Sequence, residues 1–417
     1  MTFRHRRVLL LTAPQSYRAE AFLAAATQLD IDAVVAVDMD VSLADHWQYP
    51  LGFRFDDPDQ ALAAIGAYAA ANPLDAIIAV DDTGTLLAAQ ASAALGLPHN
   101  APDAAEAARD KYLMRRRLAA GGVPIPAFRL CSTSDDYALL ASEIRFPCVV
   151  KPLRLNGSRG VIRADNRQQF VSAACRLADL LDMIEPGPQP KPFLAEDFVP
   201  GVEVALEGMI DDGIVQVLAL FDKPDPLDGP FFEETLYVTP SRLPPELQAA
   251  IGACAAAAAA ALGLRRGPIH AELRVNEQGP WLIEAAGRSI GGMCSRTLQF
   301  GSSASLEELI LRQACALPIE SLSRSGHAGG VMMIPIPHGG ILRRVAGIAE
   351  ALRVTGVEDV QITAPLHYPI TPLPEGDSYL GFIFARGETP AAVEAALREA
   401  HACLNFTIEA AIPLALA

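Results

Sequence analysis

No GxGxxG follows the first apolar run of this chain, no CxxC occurs among its seven cysteines, and positive charge is scarce: 33 Lys and Arg stand against 49 Asp and Glu, a net charge of −16. Each shortage excludes something. Without the glycine fingerprint, a dinucleotide-binding reading of the N-terminal region is weak. The cysteines (Cys131, Cys148, Cys175, Cys254, Cys294, Cys315, Cys403) are scattered and odd in number. That pattern fits reduced thiols in a cytosol better than a zinc site or a disulfide framework. The acidic excess disfavours a nucleic-acid partner held through phosphates. Long hydrophobic runs are also missing, so no membrane span is expected. The N-terminus imitates a signal peptide, with Arg4 to Arg7 before Val8 to Leu11, but its apolar run is too short and no small-residue cleavage pattern follows.

What is present is a globular composition, 51% hydrophobic and 20% charged over 417 residues. That length exceeds one ordinary core and predicts roughly two to four domains. Apolar runs at Val8 to Leu11, Ala33 to Val37 and Ala76 to Val80 read as buried strands, with helices at Arg18 to Leu29 and Thr85 to Leu95 between and after them. Strands alternating with helices indicate a parallel sheet. Asp81 and Asp82 fall at a strand's carboxyl end, where such sheets bind ligands. A helix over Ala104 to Ala120 is stopped by Gly121-Gly122. It carries Lys111, and Arg115 to Arg117 near its end, where cations suit the helix dipole.

A strand at Phe146 to Val150 ends in Lys151-Pro152, and the loop to Gly160 follows. Gly157 and Gly160, lacking Cβ atoms, let backbone amides approach phosphate oxygens, and Lys151, Arg154 and Arg159 add positive charge. Glu196 to Glu203 reads as a strand end, a connection and a new strand, Val202 to Met209. Asp222 to Pro240 reads as a long Pro- and Gly-rich loop, usually a functional feature. It carries Phe231, Phe232, Glu233, Glu234 and Tyr237. Ile251 to Leu262 and Leu306 to Ala316 read as helices.

The most informative stretch is His270 to Gly292. His270 to Val275 alternates apolar and polar, Asn276 to Pro280 carries turn residues, and Trp281 to Glu284 is extended again. A hairpin turning at Gln278 sets Glu272 opposite Glu284. Like charges directly opposed are destabilising unless a cation lies between them, and hard oxygen ligands suit Mg²⁺. Beyond Gly326 the reading is of short strands (Gly330 to Ile336, Arg353-Val354, Leu380 to Ala385) and a closing helix, Ala391 to Leu404.

In this order the motifs resemble those of ATP-grasp enzymes, and more narrowly the L-amino-acid ligase branch with its dipeptide-forming and carnosine-synthase-like members. The narrower likeness rests on FFEETLYVTPS, EAAGRSIGG and the C-terminal segment. The resemblance implies an α/β and α+β multidomain protein with the ATP-grasp fold. Its parts are an α/β pre-ATP-grasp domain (1–103), a part containing the lid subdomain (104–200), a catalytic half (201–325) and a small C-terminal α+β domain (326–417). Carried over residue by residue, it implies that Lys111 and Lys151 bind ATP phosphates, with the Ser158–Gly160 loop folding over them. Glu196 and the backbone through Phe198 to Val199 hold adenine, and Glu203 holds the ribose. Glu272 and Glu284 bind Mg²⁺, with Mn²⁺ as a substitute. Arg288 faces the reacting carboxyl group, with the amides of Gly291 and Gly292 as oxyanion donors. Glu234 recognises an amino group, and Tyr237 stands where this branch often has His. Ala286 stands where many ATP-grasp enzymes have a metal-binding Asn.

The activity implied is ligation of an amino acid or similar carboxylate to an amine through an acylphosphate, with ADP and phosphate released. Small-molecule substrates, a cytoplasmic location and a homodimer are the associated expectations, without nucleic acid or membrane. A biotin-carboxylase-like or purine-pathway reaction on bicarbonate or formate is the alternative within enzymes, and a non-catalytic nucleotide-binding protein the alternative outside them. Gly292 suggests room for a bulky first substrate.

Overall fold

Buried apolar strands in the first hundred residues build a small parallel sheet. A computed structural model describes residues 5–14 and 16–410 of the chain; Arg4 lies outside these residues. Val8, Leu9, Leu10 and Leu11 are fully buried, as expected of a strand covered on both faces. This strand, Arg6–Thr12, lies between Ile31–Asp38 and Ala76–Ala79, and Leu51–Phe53 forms the far edge, all parallel. Asp81 and Asp82 therefore sit at the carboxyl end of an edge strand of this sheet.

The expected helix over Ala104 to Ala120 is two helices, Pro102–Arg109 and Lys111–Ala120. Asp110 breaks it. Its backbone is extended, and its side chain accepts from the amides of Tyr112 and Leu113, capping the second helix. An Asp at that position favours a cap over a helix interior. The break puts Lys111 at the start of a helix, beside the lid. The lid itself is an antiparallel sheet, in the order Phe128–Ser132, Pro192–Asp197, Cys148–Pro152, Ile162–Ala164. An unanticipated helix, Arg167–Ile184, covers it with Phe170, Ala174 and Leu177.

An eight-stranded antiparallel sheet forms the centre, in the order Gly279–Ala286, Gly267–Asn276, Val202–Asp211, Ile214–Lys223, Leu236–Thr239, Ala328–Ile334, Gly381–Gly387, Val357–Ile362. It runs without a break across residues 325/326. The C-terminal segment therefore extends the sheet of the catalytic half, besides adding a small sheet of Pro369–Ile370, Gly340–Ala346 and Asn405–Glu409. The expected long loop from Asp222 is bounded by two strands and holds the second of them, Leu236–Thr239. Arg353-Val354 is not a strand. It follows a short helix, Ile348–Ala351, and the strand begins at Val357. The helix Pro390–Cys403 does not close the chain, since Asn405–Glu409 follows it.

The Pro245–Leu262 helix is long and apolar enough to cross a membrane by length and composition, with a mean hydropathy of 1.3. Here its Ile251, Ala255, Ala258, Ala259 and Leu262 are buried in the core beneath the central sheet. Gly263, with φ +83°, ends it in a left-handed turn.

Candidate active site

The Gly267–Asn276 and Gly279–Ala286 strands pair Glu272 with Glu284, as the sequence pattern anticipates. The route to that pairing differs from the one read. Asn276 pairs with Gly279, so the turn is two residues, Glu277 and Gln278. That register alone would set Glu272 opposite Ile283. A bulge between Glu272 and Leu273 shifts it by one residue and returns Glu284 to the same face.

These strands line one side of a cleft of about 1140 Å³, bounded by the lid, the N-terminal sheet and the C-terminal segment. Of the residues expected to act, Lys111, Lys151, Ser158, Glu196, Phe198, Val199, Glu203, Glu234, Tyr237, Glu272, Glu284, Arg288, Gly291 and Gly292 all face it. Gly160 does not. Its φ is +72°, its amide donates to the Pro374 carbonyl at 2.8 Å, and a Cβ there would meet Leu177 at 2.9 Å. It is a packing glycine against the lid helix.

Two lysines hold the opposed carboxylates. Lys111 Nζ lies 3.2 Å from Glu284 and also donates to the Leu155 carbonyl at 2.9 Å. Lys223, not anticipated, donates to Glu203 at 2.8 Å, Glu234 at 2.6 Å and Glu272 at 2.9 Å. Burial would lower the Lys223 pKa, but the three carboxylates outweigh it and raise it well above the ordinary lysine value. Its ammonium therefore occupies the centre of the one acidic triad with metal-like spacing among the described residues, Glu203, Glu234 and Glu272. Lys223 was hidden in the sequence by the loop assigned from Asp222. A strand ending in Lys beside a later acidic run is the signal that could have found it.

The same cluster separates two carboxyls. Burial pushes Glu234 up to about 7, against the pull of Lys223 and with Glu272 nearby. Burial also acts on Glu272, but Lys223 and His270 more than offset it and hold this carboxylate well below its usual range. Glu272 thus remains ionised, and Glu284 faces the cleft on the neighbouring strand. This pair of hard oxygen donors fits a divalent cation. Tyr237 puts its hydroxyl 3.4 Å from Glu272, and its ring under the Lys223 ammonium at 4.9 Å. Beneath Glu272, Glu207 Oε1 and His270 Nδ1 are buried without a hydrogen-bond partner among the described residues, His270 Nδ1 lying 3.7 Å from Glu207 Oε2. Burial raises the Glu207 pKa.

Several of these residues have protein partners. Glu196 is locked in a buried cluster, accepting from Arg115 at 2.7 and 3.1 Å and pairing with Lys151 at 2.6 Å. Arg115 is thus a core ion-pair residue rather than a helix-end cation, and Glu196 lies between it and Lys151. Glu203 has both oxygens engaged, by Lys223 at 2.8 Å and Arg274 at 3.0 Å. The Phe198 amide donates to Pro147, and the Val199 carbonyl accepts from Arg274. Arg154 and Arg159 also line the cleft and pair with Asp110 and Asp377 at 3.2 and 3.1 Å.

Opposite the metal-like pair, Arg288 Nε donates to Asp82 at 2.7 Å. Despite burial, Asp82 raises the Arg288 pKa and Arg288 lowers that of Asp82. The Gly292 amide donates to the Tyr17 hydroxyl at 2.8 Å, while that of Gly291 has no protein acceptor among the described residues. Gly292 lines the cleft, but a side chain could not replace its hydrogen. The place of its missing Cβ is filled by Met333, whose sulfur would be 2.5 Å away.

Three family models match in order along this chain: an ATP-grasp N-terminal domain at residues 23–99, an ATP-grasp domain at 144–297 and an L-amino acid ligase C-terminal domain 2 at 332–409. The chain carries ATP-grasp domains. The alanine–anticapsin ligase of Bacillus subtilis (strain 168) is 32% identical over 222 residues, 49% of this chain and 46% of that protein. The D-alanine–D-alanine ligase of Aromatoleum aromaticum is 29% identical over 180 residues, 42% of this chain and 55% of its own length. This ATP-grasp chain thus spans about half of the length of these curated relatives. The crystal structure of an L-amino acid ligase from Bacillus licheniformis superposes with a TM-score of 0.78 at 24% identity, covering 98% of this chain and 100% of that one. That likeness concerns the fold. The ATP-grasp fold implies ATP with a divalent metal, and the Glu272–Glu284 pair and the lid lysines suit both.

Lys151 gives a pH test of the nucleotide site. Burial pulls its pKa down to about 8, with Glu196 acting against and Arg115 with the burial. In the free protein its charge is present below that pH and lost above it. ATP affinity should therefore be flat at lower pH and weaken above about 8, by at most about tenfold per pH unit for one proton. Calorimetric titrations checking this should show the fall displaced upward in Lys151→Arg, because guanidinium stays charged.

Proposed function

We propose that this chain is an ATP-dependent carboxylate–amine ligase that joins an amino acid to a second amine-bearing substrate. One observation carries the reading: Lys111, Lys151, Glu272, Glu284 and Arg288 face a single cleft beneath a glycine-bearing loop. Both curated relatives described above are named as ligases of alanine.

An oxygen of the first substrate's carboxylate attacks the γ-phosphorus of ATP, and the bond to ADP breaks. The amine nitrogen of the second substrate then attacks the acyl carbon and loses a proton, and phosphate leaves. Lys151 and Lys111 bind and orient the phosphates. Glu272 and Glu284 would hold Mg²⁺, which supplies charge neutralisation on the transferred phosphoryl group. Arg288 and the Gly291 amide meet the negative charge that develops on the acyl oxygen as the amine adds; the Gly292 amide, donating to Tyr17, anchors the turn that carries them. The loop over the cleft keeps water from the acylphosphate. Glu234, a carboxyl near neutrality, would accept from the ammonium of the first amino acid, whose charge favours the carboxylate form. All seven cysteines are free thiols, which supports placing the chain in a reducing cytosol.

A phosphate-release screen of amino acids in pairs, with Mg²⁺ and with products read by mass spectrometry, tests the reading. Phosphate release should require both substrates and give an amide of their summed mass less water. Equal ATP turnover with and without amino acids would overturn it.

A further inference from the structure

Arg18 is a cation of the cleft that the reaction above leaves unused. It lies at the end of the connection after the first strand, just before the Ala19–Gln28 helix. Asp81 fixes this connection, accepting from the Ala13 amide at 3.0 Å and the Ser16 hydroxyl at 2.9 Å. Arg18 Nη2 donates to the Ser289 carbonyl at 2.9 Å and to the Ser289 hydroxyl. Arg288 Nη1 donates to the same carbonyl, also at 2.9 Å. The two guanidinium nitrogens are therefore no farther apart than twice that distance. Asp82 neutralises Arg288, whereas Arg18 has no ion-pair partner among the described residues, and its Nε and Nη1 donate to no protein acceptor there. It lines the cleft. Burial and the nearby Arg288 lower its pKa, and Tyr17, Asp81 and Asp82 offset them only in part.

We propose that Arg18 is a specificity-determining residue, receiving the carboxylate that the amine-bearing substrate keeps throughout the reaction. The acceptor is then an amino acid rather than a simple amine. This rests on the ligase reading. The first substrate's carboxylate is consumed as an acylphosphate beside Arg288, so a second guanidinium with free N–H groups suits an anion that survives. With Nη2 committed to Ser289, its Nη1 or Nε N–H is left to give a carboxylate oxygen a charge-assisted hydrogen bond. Position agrees with charge. Tyr17, the preceding residue, bonds the Gly292 amide, so the segment carrying Arg18 lies against the turn beside the acyl carbon. An α-carboxylate at Arg18 places the α-amine one carbon away, toward that turn.

The test compares three acceptors, an amino acid, its carboxamide and its decarboxylated amine, at saturating ATP and first substrate. The wild type should favour the free carboxylate by about 10- to 100-fold in kcat/KM, the range of a charge-assisted hydrogen bond. Arg18→Gln should bring the three within about threefold of each other, mainly through the KM of the amino acid, leaving the KM for ATP and first substrate unmoved. Arg18→Lys, which keeps the charge and loses the fixed guanidinium geometry, should be intermediate, and it serves if the Gln variant folds poorly. Ser289→Ala should keep the wild-type preference, which separates recognition from anchoring of the turn. An Arg18→Gln enzyme with wild-type discrimination, or a wild type indifferent to the carboxylate, overturns the proposal. Should the wild type turn over no pair at all, the ligase reading fails, and calorimetry on the ADP-loaded protein still decides this one. Tighter binding of the amino acid than of its carboxamide, lost in Arg18→Gln, supports it, and equal binding overturns it.

Discussion

Glu284→Gln loses Mg²⁺-dependent ATP turnover by more than about 100-fold, the range already reached when only an outer partner of a metal site is removed. The substitution keeps the shape of the side chain and removes its charge. Glu284 sits on the cleft wall, with its side chain 29% exposed and paired with Lys111 at 3.2 Å. The fold should tolerate the change, since a partly exposed ion pair contributes about 1 kcal/mol or less. Metal titration followed by calorimetry should show weakened Mg²⁺ binding in the nucleotide complex, and the melting temperature should move little. Wild-type turnover in this variant would remove Glu284 from the metal site, whatever the fate of the remaining assignments.

Arg288→Met lowers kcat on the order of 10²- to 10³-fold with a smaller change in KM, as expected when a donor acting mainly on developing charge is lost. A second effect accompanies it. Asp82 is left without its partner, and removing one member of a largely buried pair costs about 3 kcal/mol or more. Arg288→Met with Asp82→Asn removes both charges and should recover much of the stability without recovering kcat. Recovery of both together would mean that Arg288 acts only through Asp82.

Much of this site is legible in the sequence because it rests on local patterns. Period-two alternation around Glu272 and Glu284, the strand ending in Lys151 and the glycine-bounded turn carrying Arg288 each arise within a dozen residues. The missed features depend on contacts between distant segments. Lys223 meets Glu203, Glu234 and Glu272 only once three strands and a loop have assembled. Arg115 becomes a buried partner of Glu196 only because the lid sheet packs against its helix. The Gly292 space is filled by Met333 from a strand of the C-terminal segment. Asp110 is a local signal misread: Ala104 to Ala120 reads as one helix, and the capping preference of Asp110 divides it in two.

The central sheet has a practical consequence for dissecting the protein. Leu236–Thr239 pairs along its length with Ala328–Ile334. A fragment ending near residue 325 would carry this buried strand as a raw edge, with its backbone donors and acceptors and its apolar face bare. Such an edge recruits other chains. Truncation there would yield a self-associating remnant rather than a minimal enzyme, and exchange of C-terminal segments between relatives would succeed only if the incoming piece supplies the matching neighbour strand.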